Sequence, residues 1–256
     1  MRITDLLATL EAYYDTVPRA FATTEEIGPL TLFVRRGEGG HPYYARPRLG
    51  LDAEVTVHDV LATLARQDEI GVPRKLEWVD ETTPTLLPAA REAGLDVEVC
   101  PILVLDEPVA PEPPHGYALE LMPPDSRHLG EVVGAVDAGF AGSEEVAQAP
   151  VGNWPDAIER GLTAYVGAFE LEDGELGRPV GGGSHSPRGE TTELMGIAVL
   201  PSARRRGLGA AIAAELATDA GDRGVTTCFL SAQDDAVARV YERVGFRRVA
   251  TACIVG

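Results

Sequence analysis

The segment LPSARRRGLGAAI, residues 200–212, carries three consecutive arginines, a Gly-Leu-Gly turn and then small apolar residues. The N-terminus of a helix has unpaired N–H groups and a partial positive charge. Glycines at that point let the backbone approach a ligand closely and adopt positive φ. The pattern R-x-x-G-x-G between a strand and a helix therefore predicts a cradle for an anion, above all a pyrophosphate. For this stretch alone, a solvated and arginine-rich helix start is the alternative.

Two familiar phosphate-binding patterns do not fit this loop. It has no G-K-[ST] ending, so it is not a Walker loop, and it lacks the G-x-G-x-x-G of dinucleotide-binding folds. Across the whole chain, 22 basic residues stand against 40 acidic ones, a formal net charge of −18. Nucleic acid is therefore excluded as the main partner, because neutralising phosphates requires a basic surface.

The cysteines and histidines do not predict a metal site. Cys100, Cys228 and Cys253 lie in apolar, strand-like runs, which favours buried, reduced thiols in a cytoplasmic protein over disulfides or zinc ligands. The histidines lack metal-ligand spacing, and His185, after a glycine run, is expected in an exposed loop rather than in a substrate cleft. Trp78 and Trp154 are expected to be packing residues. The first residues, MRITDLLATLEAYY, read as an amphipathic helix rather than a signal peptide, and no apolar run approaches membrane-spanning length.

The segment DEPVAPEPPHG, residues 106–116, has four prolines in eleven residues and predicts a semi-rigid connector. It divides the chain into domains at 1–105 and 117–256. The second half predicts a strand, two helices, an antiparallel meander up to residue 199, and then alternating helices and strands. This pattern is that of a mixed α/β fold.

The first half repeats the element pattern of the second at a fixed offset. Gly94 and Gly245 follow similar helical stretches 151 residues apart. The same shift places Ala53, Thr56 and His58 where the second half has Arg204, Gly207 and Gly209. We therefore predict an internal duplication in which the first copy has lost the anion loop.

Two motifs of the second half together resemble those of the GNAT superfamily of N-acetyltransferases. In the first, a strand ends in an apolar-V-x-P stretch and leads into [RQ]-x-x-G-x-[GA] and a helix. Its positions are Val199, Pro201, Arg204, Gly207 and Gly209. In the second, Asp234 precedes a helix carrying Y-x-x-x-G-F, here Tyr241, Gly245 and Phe246; the family commonly has Asn where this chain has Asp234.

The resemblance implies two GNAT-like mixed-sheet domains in tandem, the first degenerate and the second catalytic. It also implies acetyl-CoA as co-substrate and a primary amine of a small molecule or peptide as acceptor. No metal or membrane is expected to take part, and the protein would act as a monomer or homodimer. A coenzyme-A-binding regulatory or scaffold protein without turnover is the alternative.

The resemblance further assigns roles to individual residues. Tyr241 would protonate the leaving thiolate, and Glu193, eleven residues before Arg204, would be the general base, with a solvent-facing strand residue as its alternative. The cofactor-binding residues would be the main chain of Ile197, Ala198 and Val199 for the pantetheine arm, the loop Arg204, Arg205, Arg206, Gly207, Leu208 and Gly209 for the phosphates, and the helix-capping Asp234. Arg205 and Arg206 could instead face solvent.

Overall fold

The computed structural model describes residues 2–37, 43–108 and 111–256. The helices are α1 (Ile3–Arg19), α2 (Val57–Glu69), α3 (Leu86–Glu92), α4 (Leu129–Ala141), α5 (Trp154–Glu159), α6 (Leu208–Asp222) and α7 (Asp235–Glu242). The strands are β1 (Ala22–Ile27), β2 (Leu30–Arg35), β3 (Ala45–Pro47), β4 (Leu76–Val79), β5 (Glu98–Leu105), β6 (Tyr117–Leu121), β7 (Ala164–Glu172), β8 (Glu175–His185), β9 (Thr191–Val199), β10 (Thr227–Ser231) and β11 (Phe246–Val255). The predicted mixed α/β fold is confirmed.

The chain forms two compact units that are not continuous in sequence. The first unit contains residues 1–102 together with 231–235 and 248–256, and the second contains 103–230 together with 236–247. The first half therefore builds its compact unit with the end of the chain. The assignment of 1–105 and 117–256 as functional domains stays a prediction.

The first unit is built on a mixed sheet. Strands β1, β2 and β3 pair antiparallel, β3 and β4 pair parallel, and residues 252–255 of β11 run antiparallel to β4. Its core packs residues of the first half, such as Leu32 and Trp78, against Cys253 and Val255 from the last strand. Trp78 is 2% exposed, so its predicted packing role is confirmed.

The second unit has an antiparallel meander of β6, β7, β8 and β9, followed by a parallel pairing of β9 with β10. A Cβ built on Gly182 would contact Val132 of α4, whereas one built on the next residue, Gly183, would contact Ile212 of α6. Because successive strand residues face opposite sides of a sheet, α4 and α6 cover opposite faces.

The two halves share an order of elements that the offset of 151 residues predicts. Shifted by this amount, α2 falls on 208–220 within α6, and β4 falls on 227–230 within β10. In both halves the helix connects two parallel strands, β3 with β4 and β9 with β10. An antiparallel strand precedes each pair, which is the topology that a duplication requires.

All three cysteines are buried and free, as expected. No helix among the described residues is both long and apolar enough to span a membrane.

Candidate functional site

The centre of the candidate site is the point at which β9 and β10 separate. Their parallel ladder consists of Thr191 with Thr227, Thr192 with Cys228 and Glu193 with Phe229, and it extends no further along β9. On its other side β9 stays paired with β8 as far as Val199. The segment 194–199 therefore borders a gap on the side where β10 has turned away, and its main chain is open to strand-like pairing there.

A bulge in β9 lies inside this open segment. Ser184 faces Met195, but Gly182 faces Ala198, so β9 has one more residue than β8 over the same distance. Gly196 lies in the bulge with a φ of +61°, a backbone conformation in which a residue with a side chain would be strained. Ile197 is half-buried and Ala198 and Val199 are buried, so all three predicted residues lie on the open strand segment after the bulge.

The loop after β9 ends at a helix N-terminus without a side-chain cap. A single 3-10 turn (Pro201–Ala203) is followed by Arg205 at φ +60° and Gly207 at φ +94°, and α6 begins at Leu208. Leu208 is 1% exposed and anchors the first turn in the core. A Cβ built on Gly207 or Gly209 would meet no atom within 4 Å. The first turn of α6 thus presents its N–H groups to open space, which fits an anion such as pyrophosphate.

The three arginines of the loop differ in their surroundings. Arg204 donates from Nε to the carbonyl of Val199 at 3.0 Å and from Nη2 to the carbonyl of Gly139, so it fastens the loop to β9 and α4. Arg206 lies 6.0 Å from the ring centroid of Tyr117. Within the described part of the chain neither Arg205 nor Arg206 pairs with a carboxylate, and both are exposed.

Two supporting residues were not found from the sequence, Gly139 and Glu144. A Cβ on Gly139 would lie 3.1 Å from the Ala198 Cβ and the Val199 nitrogen, so the glycine lets α4 pack tightly on the end of β9. Glu144 accepts hydrogen bonds from the Ser202 nitrogen at 2.6 Å and Oγ at 2.8 Å. Both bonds lower the pKa of Glu144, and the bond from Oγ contributes most. No local pattern marks either residue, since their partners lie about 60 positions along the chain.

Tyr241 lies on α7 and is 8% exposed. Burial raises the pKa of its phenol to about 12, and no hydrogen bond contributes to the shift. Its ring meets Phe246 edge-on at 6.2 Å. Gly245, at φ +95°, ends this segment as predicted, and a Cβ there would collide with the Glu107 carbonyl. Tyr241 therefore packs on its neighbour and keeps a protonated hydroxyl.

Glu193 occupies the last pair of the β9–β10 ladder and is 9% exposed, so it is not a solvent-facing strand residue. Asp234 directly precedes α7, at the position expected of a helix cap, and belongs to the first compact unit. The catalytic and binding roles assigned to both residues stay predictions.

The prediction that His185 lies in an exposed loop is wrong. The side chain is fully buried at the end of β8, with Nδ1 3.0 Å from Thr192 Oγ1 and Nε2 2.7 Å from Asp219 Oδ2. Asp219 also accepts two bonds from Arg223. Burial lowers the pKa of His185 despite this carboxylate. The histidine fastens α6 to β8 and β9, because its two ring nitrogens reach residues from different elements.

The corresponding helix start in the first half is closed by its own side chains. Thr56, the N-cap of α2, stands 151 residues before Gly207, the N-cap of α6. The Asp59 carboxylate accepts from the Thr56 nitrogen at 2.9 Å and from its Oγ1 at 2.6 Å, and the Asp59 nitrogen donates to that Oγ1. This capping box places a carboxylate where a bound anion would lie. In the first half, side chains of the protein thus occupy the helix start at which the sequence predicts that the anion loop has been lost.

In the ranges that the structure describes, no group of three or more His, Cys, Asp or Glu side chains could hold a metal ion.

The chain is similar to several solved structures over nearly its whole length. A GCN5-related N-acetyltransferase from Kribbella flavida is 22% identical with a TM-score of 0.75, covering 98% of this chain and 95% of that one. A GCN5-related N-acetyltransferase-like protein from Streptococcus suis is 12% identical with a TM-score of 0.56, each chain being covered completely. A tandem GNAT protein from the clavulanic acid biosynthesis pathway is 16% identical with a TM-score of 0.53, covering 88% of this chain and 77% of that one. At these identities the likenesses show the fold.

No curated protein matches the sequence significantly. The profile of the Acetyltransferase (GNAT) family matches residues 127–246, which include β9, the arginine-glycine loop and Tyr241. Residues 127–246 are therefore similar to the domain that this family's profile describes, and the solved structures share the fold.

Proposed function

We propose that this domain transfers the acetyl group of acetyl-CoA to a primary amine by direct attack of the amine on the thioester. The observation that carries the proposal is a pair of features at one edge of the site. They are the main chain of β9 beyond Glu193, which β10 leaves unpaired, and the uncapped start of α6 at Gly207.

The donor would be held mainly by backbone groups. Ile197 and Ala198 supply strand-like hydrogen bonds to the pantetheine amides, while the Val199 carbonyl is already engaged by Arg204. Gly207, Leu208 and Gly209 donate their N–H groups to the pyrophosphate. We assign Arg205 and Arg206 to the phosphate charges, because Arg204 holds the loop in place.

Glu193 is the proposed general base and takes the proton of the attacking amine, directly or through water. The amine nitrogen then bonds to the acetyl carbon, the carbon–sulfur bond breaks, and the sulfur leaves as a thiolate. Glu193 is 9% exposed and occupies the last pair of the β9–β10 ladder, where the two strands separate.

Tyr241 is proposed to donate a hydrogen bond to the sulfur without giving up its proton. A phenol with a pKa of about 12 is a weaker acid than a thiol with a pKa of about 8.5, so complete proton transfer to the thiolate is uphill. A hydrogen bond from the phenol to the developing thiolate has no such cost and stabilises the charge as it forms. We therefore assign Tyr241 to hydrogen bonding of the sulfur, with the proton finally supplied by solvent, to which Glu193 returns the proton that it took from the amine.

The test combines calorimetry with acetyl-CoA and a release assay for free coenzyme A over a panel of small amines, amino acids, aminoglycosides and peptides. Binding together with release is the expected result. Tight binding without release from any amine would favour the scaffold alternative, and absence of both would refute the proposal. The cytoplasmic location expected from the buried thiols is part of the same proposal.

A further inference from the structure

The segment that follows α4 turns back and lies along that helix. We call this segment, residues 143–150, the strap. Gly130 of α4 accepts a hydrogen bond from the Ala149 nitrogen of the strap at 3.0 Å. A Cβ built on Gly134 would collide with the Ala147 carbonyl oxygen, so this glycine lets the main chain of the strap lie directly on the helix. The position of the strap is therefore set by the surface of α4.

Glu144, near the start of the strap, connects it to the anion loop. Its carboxylate accepts from the Ser202 nitrogen at 2.6 Å and from the Ser202 Oγ at 2.8 Å. Arg178 of β8 donates to the same Oγ at 3.3 Å, and its Nη2 lies 3.9 Å from the Glu144 carboxylate. Ser202 is the middle residue of the 3-10 turn at which the loop begins. The strap and β8 therefore hold the first turn of the loop between them.

The backbone between this turn and α6 requires such support. Arg205 has a φ of +60°, a conformation that a residue with a side chain keeps only where its surroundings hold it. On the far side, Leu208 is buried and fixes the start of α6. On the near side, the side chains of Arg204 and Glu144 hold the loop. A loop that is fixed in this way before the donor arrives loses less conformational freedom when the donor binds.

The charge of Glu144 does not account for its place beside an anion site. A carboxylate repels a phosphate, and the chain already carries a formal net charge of −18. The contribution of this side chain is its two hydrogen bonds, which fix a main-chain N–H and a hydroxyl of the loop. Positioning and charge thus affect donor binding in opposite directions, so an experiment can separate them.

We propose that Glu144 is a positioning residue for the donor, and that through it the strap couples the position of α4 to the conformation of the anion loop. The effect on donor affinity rests on the proposed function. The anchoring of the loop does not, because it can be measured in the protein without donor.

The first test measures amide hydrogen exchange of residues 202–209 without donor. We expect these amides to exchange about tenfold faster in Glu144→Ala than in the wild type, because the loop opens more often. Glu145→Ala is the matched control, since Glu145 is exposed and its side chain forms no hydrogen bond or ion pair with the described residues. This control should exchange like the wild type. Equal exchange in Glu144→Ala and Glu145→Ala would overturn the anchoring.

The second test measures the Kd of acetyl-CoA by calorimetry. Glu144→Ala should raise this Kd about tenfold, because the donor must then order the loop. Loss of a negative charge alone, as in Glu145→Ala, should leave the Kd unchanged or slightly lower. Glu144→Gln should stay within about threefold of the wild type, because its amide oxygen accepts from the Ser202 nitrogen and its NH2 group donates to Oγ.

Turnover gives a further measure of the same role. Glu144→Ala should raise the KM for acetyl-CoA and leave kcat within about twofold, because uniform binding is lost and no reacting group is touched. A Kd for Glu144→Ala no higher than that of the wild type would overturn the positioning role, as would a Glu144→Gln variant that binds as weakly as Glu144→Ala. Absence of acetyl-CoA binding in the wild type would overturn the proposed function, and hydrogen exchange would still decide the anchoring.

The third test changes the strap from the side of α4. The methyl group of Gly134→Ala would displace the strap at Ala147, away from the loop. We expect the Kd to rise about as much as in Glu144→Ala, and the double variant to bind no more weakly than either single variant, because both changes break one link. A second variant, with two glycines inserted between Glu145 and Val146, lengthens the strap without adding a side chain to α4 and should also raise the Kd. An unchanged Kd in the inserted variant, or additive losses in the double variant, would overturn the coupling through the strap.

Discussion

Replacing Gly209 by Leu should strengthen the fold and weaken donor binding at the same time. Gly209 lies in the first turn of α6 without a positive φ, and a Cβ there would meet no protein atom within 4 Å. Leucine is favoured over glycine in helices by about 0.5–1 kcal/mol. For a chain of this size we therefore expect a Tm higher by about 1–3 °C.

The leucine side chain would occupy the space in which a pyrophosphate approaches the helix N–H groups, whereas the motif accepts the small side chain of alanine at this position. Loss of one hydrogen bond to a charged group costs about 1.5–3 kcal/mol. The Kd for acetyl-CoA should accordingly rise by roughly 10- to 150-fold. Calorimetry gives the Kd and thermal unfolding gives the Tm on the same preparation.

Gly221→Leu is the matched control for this substitution. Gly221 is in the same helix, also without a Cβ contact within 4 Å and without a positive φ. It lies twelve residues further on, or about 18 Å along the axis. It should raise the Tm similarly and leave the Kd unchanged. Unchanged affinity in Gly209→Leu would refute the assignment of the loop to pyrophosphate, and a lowered Tm would refute the packing argument.

Three further predictions concern the donor, the leaving group and the first unit. Calorimetry should give one acetyl-CoA per chain, because Asp59 closes the helix start of the first half; a stoichiometry of two would contradict this. Tyr241→Phe should lower kcat at least tenfold with little change in the Kd of acetyl-CoA, and unchanged turnover at every pH would remove its role. Burial raises the pKa of Glu77 to about 7, so the folded state binds this proton more tightly than the unfolded state and loses stability as pH rises from about 4.5 to 7. The free energy of unfolding of Glu77→Gln, relative to the wild type, should therefore be higher at pH 8 than at pH 5. The difference is on the order of 1–2 kcal/mol after allowance for the partial exposure of Glu77, and urea unfolding measures it. An equal relative stability at both pH values would contradict the raised pKa of Glu77.

The features predicted correctly from the sequence are those that depend on neighbouring residues. The start of α6 at Leu208 follows from glycines and a helix-forming run, and the positive φ of Gly245 follows from its place after a helix. The repeat at 151 residues was visible because each copy keeps the same local order of helix and strand, even where few residues are identical.

The prediction for His185 failed because the glycine run before it resembles a loop. In the structure Gly181, Gly182 and Gly183 are strand residues, and a Cβ on any of them would come within 3 Å of a neighbouring atom. Burial of the histidine depends on Asp219, 34 residues later, which no local pattern reveals. Trp154 was expected to pack, and it does pack on the core of the second unit, where its ring meets Tyr165 edge-on.

The sequence by itself determined that a helix N-terminus with glycines and arginines, suited to an anion, follows β9, since N–H groups and positive φ are properties of a few consecutive residues. Only the tertiary structure decided which arginine is available to it. Arg204 is held by hydrogen bonds to Val199 and to Gly139, 65 residues earlier, while Arg205 and Arg206 form no hydrogen bond or ion pair through their side chains with the described residues. It also decided where β9 loses its partner, because the end of a parallel ladder depends on the paths of two distant segments. Pairing over such distances is set by packing of the whole unit, which no window of sequence contains.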